Sequence, residues 1–107
     1  MTDEQTHRAL AIRELYRTKN TQDGNRPWGL VDYVAGFNAD VGKLTKLIMV
    51  KDNLLPDVND LDKMLKHELG DCLWSIVNLC HELGLSADEC FETTLNDLEE
   101  RLKGVKQ

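Results

Sequence analysis

The chain has 107 residues, 41% of them hydrophobic, 30% charged and 6% aromatic, and its 13 basic and 19 acidic side chains give a net charge of −6. That length fits a single domain, residues 1–107, with a modest core, and the apolar content excludes a disordered chain. The acidity argues against a nucleic-acid polymer or an anionic membrane surface as partner. The longest apolar run, Leu47 to Val50, is far too short for a transmembrane helix, and Met1-Thr2-Asp3-Glu4 lacks the hydrophobic stretch of a secretory signal.

In chain order, the first predicted helix covers about residues 3–20. Thr2 is its cap, Gln5 completes a capping box, and Leu10, Ile12, Leu15 and Tyr16 are the apolar positions. Thr21 to Gly29 is rich in turn residues and reads as a loop. The second helix, about 30–51, carries Leu30, Val34, Phe37, Val41, Leu44 and Ile48 at three- and four-residue spacing. A loop around Pro56 precedes the third helix, about 58–83, with Leu61, Leu65, Leu69, Cys72, Leu73, Ile76, Leu79, Cys80 and Leu83 as its apolar set. Gly84 followed by Leu85 is the signature of a left-handed helix ending. Ser86 to Glu89 is a second capping box, opening a fourth helix at about 87–103 that Gly104 ends. No strand pattern or repeat interrupts this order, so the expected fold is all-α: a four-helix bundle-like protomer. Its apolar arcs exceed what the four helices can cover among themselves, so oligomerisation is expected to complete the core.

Cys72, Cys80 and Cys90 form no close pair, and Cys80, His81 and Cys90 lack a fourth ligand and the usual spacing for zinc. Reduced cysteines in a chain without a signal lead us to expect the cytoplasm.

Charge is unevenly distributed: residues 1–51 hold eight basic and six acidic side chains, residues 52–107 five and thirteen. On a helical wheel, Met64, Glu68, Asp71, Ser75, Asn78 and Glu82 form one stripe beside the apolar set of the third helix. Asp40 borders the apolar arc of the second helix, with Lys43 one turn on. If these two helices pack antiparallel, Asp40, Glu68 and Asp71 could converge into an oxygen-ligand site for a hard cation such as Mg²⁺. The competing reading is solvated charge: Asp40 with Lys43 as a surface pair contributing about 0.3–0.5 kcal/mol, and Glu68 and Asp71 compensated by Lys63, Lys66 and His67. Trp28 and Trp74 fit packing roles, although Trp28 shares its loop with Arg26, where an aromatic–cation pair could hold a base and a phosphate.

The segment His67-Glu68-Leu69-Gly70-Asp71-Cys72-Leu73-Trp74 through Asn78-Leu79, closed by His81-Glu82-Leu83-Gly84-Leu85, resembles the second signature of the MazG-like all-α nucleoside triphosphate pyrophosphohydrolases. The resemblance runs from about Leu30 to Leu102, and the order of four helices fits it. It implies Mg²⁺-dependent (or Mn²⁺-dependent) cleavage of a nucleoside triphosphate to a monophosphate and pyrophosphate, acting on a canonical or damaged nucleotide. It also implies a homodimer or homotetramer with shared sites. Carried over by position, Glu68 and Asp71 are metal ligands, Asp40 is the second acid of the first signature, and Asn78 contacts substrate. The first signature departs from the family pattern, because Ala39 and Lys43 stand where it has glutamates. Lys43 either repels a cation and pairs with the nearby acids, or contacts a phosphate itself. A second function follows from these departures: a catalytically degenerate homologue serving as a nucleotide-binding or helical scaffold module.

Overall fold

A computed structural model describes residues 1–105, which form four α-helices and no strand: α1 (Asp3–Gln22), α2 (Leu30–Lys51), α3 (Leu61–Glu82) and α4 (Ala87–Arg101). The all-α expectation is met. No helix among the described residues is long and apolar enough to cross a membrane.

The helix ends follow from local chemistry. Thr2 and Gln5 form the expected reciprocal capping box, with Gln5 N–H donating to Thr2 Oγ1 at 3.0 Å and Thr2 N–H to Gln5 Oε1 at 3.1 Å. At α4 only half of the expected box is made, Glu89 N–H donating to Ser86 Oγ at 3.3 Å. Three helices end in the same left-handed motif. After α3, Gly84 takes φ 71°, Leu85 N–H donates to Cys80 O and Gly84 N–H to His81 O. Gly24 (φ 77°) after α1 and Asn53 (φ 62°) after α2 repeat this pattern of two bonds. The signal at Gly24 carries α1 two residues past its predicted end. At the start of α3, Asp60 adopts φ 57°, a conformation that Asp tolerates, so the helix begins at Leu61 and not near residue 58. α4 closes at Arg101, two residues short of the predicted 103.

α2 and α3 form an antiparallel hairpin. Lys51 at the end of α2 pairs with Asp62 at the start of α3 (3.8 Å), while Tyr33 near the start of α2 meets Trp74 in the second half of α3, ring centroids 6.2 Å apart. The core of this hairpin contains Tyr33, Leu47, Val50, Cys72 and Val77. α1 packs on α3, and no Cα of α1 comes within 8 Å of a Cα of α2. Among the helices α4 touches α3 alone, Asp88 also standing 3.6 Å from the Met1 amine, and α4 buries none of its own residues.

The packed faces differ from the expected ones by one residue, about 100° of rotation. On α2, Tyr33 and Leu47 are buried and Asp40 is half-buried, while their neighbours Val34, Val41 and Ile48 are exposed. On α3 the packed face takes in part of the polar stripe: Ser75 and Asn78 are buried along with Cys72 of the expected apolar set, Leu61, Leu65, Leu79 and Cys80 are half-buried, and Leu69, Leu73, Ile76 and Leu83 face outward. On α1, Arg13 is buried in place of Ile12, Leu15 and Tyr16. α2 and α3 are therefore apolar on two faces and use only one within the protomer. The accessible surface is 8467 Å², against roughly 6,100 Å² for a compact monomer of this mass.

Candidate active site

Because α1 and α2 both lean on α3 without meeting, a cavity of about 710 Å³ opens between them. α1 contributes Ile12, Tyr16, Arg17 and Asn20; α2 contributes Tyr33, Gly36, Ala39, Asp40 and Lys43; the connecting loop supplies Trp28. Asp71, Trp74 and Ser75 of α3 form the floor. This volume falls within the roughly 300–1,000 Å³ of small-ligand sites.

Three carboxylates converge at the α2–α3 side. Asp40, Glu68 and Asp71, all half-buried, each offer an oxygen lying within 4.8 Å of the other two. The antiparallel hairpin brings Asp40 opposite the i, i+3 pair of α3. Glu68 Oε2 is buried without a hydrogen-bond partner, an arrangement that costs several kcal/mol for an isolated charge. An all-oxygen donor set with an orphaned buried carboxylate oxygen fits a hard divalent cation. His67 Nε2 lies 3.1 Å from Asp71 Oδ2, so His67, one of the residues expected to compensate these acids, touches this cluster. The clustered carboxylates, with burial as the larger cause, also push the Cys72 thiol up from its ordinary value.

Aromatic rings form the opposite wall. Trp28 meets Tyr33 edge-on (centroids 5.4 Å apart), and Tyr16 meets Trp74 at 5.7 Å with the planes tilted. Gly36 accommodates this wall: a Cβ there would stand 3.1 Å from the Trp28 ring. Trp74 Nε1 donates to Ala9 O at 3.1 Å, fixing the floor ring to α1. Two cations stand at the cavity. Arg17 has Glu14 nearby (3.7 Å), and Lys43 forms no ion pair with a carboxylate among the described residues.

The other expected site residues lie elsewhere. Arg26 forms no pair with Trp28; its guanidinium bonds both oxygens of Asp32 (2.6 and 2.8 Å), and Asp32 also accepts from Gly29 N–H at 2.9 Å. The pair raises Arg26 and lowers Asp32 from their ordinary values, and its place is the start of α2. Asn78 has no exposed surface, and its Nδ2 donates to Trp74 O at 2.9 Å, so it belongs to the α3 core and not to the cavity wall. The wall residues of α1 were missed from sequence because Ile12 and Tyr16 were assigned to a core. Arg13, Arg17 and Asn20, at helical spacing on one side of α1, were the available signal.

No curated protein and no solved structure matches this sequence. The family model of the MazG nucleotide pyrophosphohydrolase domain matches residues 41–106, which takes in the second half of α2, all of α3 and α4, and two of the three clustered carboxylates; Asp40 lies one residue before it. On that match, which spans more than half of its length, the chain belongs to the MazG nucleotide pyrophosphohydrolase domain family.

Proposed function

We propose that this protein hydrolyses a nucleoside triphosphate to the monophosphate and pyrophosphate with the help of Mg²⁺, Mn²⁺ being an alternative. The observation that carries this reading is the juxtaposition of Asp40, Glu68 and Asp71 with a cavity walled by Trp28, Tyr33 and Trp74. Aromatic faces accept a base of any sequence. The carboxylates would hold the cation, and Lys43 and Arg17, which line the same cavity, would neutralise phosphate oxygens. His67 orients Asp71 from outside the cluster. When bound, a divalent cation supplies charge neutralisation of the triphosphate and a more acidic water. Family membership supports the reaction class, and the cluster supports dependence on a divalent cation.

The test is pyrophosphate release across a panel of canonical and modified nucleotides with Mg²⁺ or Mn²⁺. Turnover that stops on chelation is the expected result; absence of turnover with every base, unrelieved by Lys43→Glu, would overturn it. Lys43 and Ala39, where the family carries acids, favour a second reading in which the chain binds nucleotide without cleaving it. Calorimetry with a nonhydrolysable triphosphate separates the two, since saturable binding without turnover belongs only to the second.

A further inference from the structure

Behind Tyr33 of the cavity wall sits an ion pair that the proposed chemistry does not use. Arg13 of α1 is 5% exposed, and its Nη2 bonds Glu82 of α3. Its guanidinium carbon stands 5.3 Å from the centroid of the Tyr33 ring of α2. One side chain thus touches all three helices around the cavity, at a point where α1 and α2 backbones do not approach each other.

Stability is a poor reason for this arrangement. Arg13 Nε and Nη1 are buried with no hydrogen-bond partner, and a buried pair left partly unsatisfied is often matched or surpassed by apolar residues of similar volume. Its geometric consequence is specific. Tyr33, held beneath the guanidinium, is the ring against which both Trp28 and Trp74 rest edge-on.

We propose that Arg13 and Glu82 are positioning residues that set the separation of α1 from α2 and hold the aromatic wall in the orientation that receives the base. This rests on the nucleotide reading for its functional consequence, while the geometric part stands apart from it. The test is the double variant Arg13→Met/Glu82→Leu. It is expected to keep its helix content and thermal midpoint, to lose the near-ultraviolet circular dichroism of the packed tryptophans, and to bind a nonhydrolysable triphosphate about tenfold more weakly. Its affinity for Mg²⁺ alone should match that of the wild type, because the carboxylate cluster lies elsewhere. An unchanged near-ultraviolet spectrum overturns the proposal, as does unchanged nucleotide affinity beside a nucleotide-binding wild type. Unfolding of the double variant also overturns it, since the pair would then be structural. If the wild type binds no nucleotide, the function reading fails and the near-ultraviolet spectrum still decides the positioning.

Discussion

Glu68 concentrates the physical argument into one atom. Its Oε2 is buried and meets no donor, and the neighbours Asp40 and Asp71 are acids that bring further acceptors to the same place. A cation held among the three removes the conflict. Glu68→Gln and Asp71→Asn should therefore each weaken Mg²⁺ binding about tenfold or more, since losing even an outer-sphere partner of a metal ligand costs that much, and pyrophosphate release should fall with it. Calorimetry of Mg²⁺ alone checks the first effect and a rate assay the second; unchanged values in both variants would remove these residues from the site. Gly36 allows a cleaner separation of stability from function. Ala there gains helix propensity of about 1 kcal/mol, but its Cβ would stand 3.1 Å from the Trp28 ring and force that ring to shift at the cavity wall. Gly36→Ala should thus melt no lower than the wild type and bind nucleotide several-fold more weakly; equal affinity would show that Trp28 is no part of the base site.

At the scale of helices, caps and stops were legible because each is a local contest settled within a few residues. Thr2 with Gln5 and Gly84 with Leu85 carry their bonding partners in the adjacent sequence. Faces were not legible in this way. α2 and α3 are apolar on two sides, and periodicity alone favours the stripe with more leucine and valine, which is the side that faces out. The carboxylates were recognisable as misplaced at an apolar border, but the α1 wall was not, because it depends on how α1 leans on α3. The start of α2 gives a prediction with a definite sign. Arg26 bonds both oxygens of Asp32, and this, with the Gly29 N–H, lowers its carboxyl below the ordinary 3.8. A lowered folded-state value contributes stability that is present above the ordinary carboxylate range and lost as pH falls through the folded value. Wild type should melt above Asp32→Asn at neutral pH, and the gap should close as acidification goes below the ordinary carboxylate range. A gap independent of pH would assign Asp32 a role other than this charge pair.

For the whole molecule the unused faces are the dominant fact. The radius of gyration is 17.2 Å, against about 13 Å for a compact chain of this length. The outward apolar residues are also ordered: Phe91, Leu95, Leu98 and Leu102 on α4 follow four–three–four spacing, and Val34, Val41 and Ile48 on α2 recur every seven residues. Such seams match the packing of helix against helix, and an identical protomer offers the same seams in return, which is what a two-fold interface requires. Burying them transfers apolar surface from water at about 25 cal/mol per Å², whereas the protomer alone leaves α4 attached through its contact with α3 and one exposed ion pair between Asp88 and the Met1 amine. The protein should therefore sediment or scatter at no less than twice its 12.2 kDa protomer mass at micromolar concentration. Phe91→Glu/Leu98→Glu, placing charge in the middle of the α4 seam, should shift it toward the protomer mass while leaving the α2–α3 hairpin helical. A wild type that remains at the protomer mass would mean that these seams are not covered by a second copy of the chain.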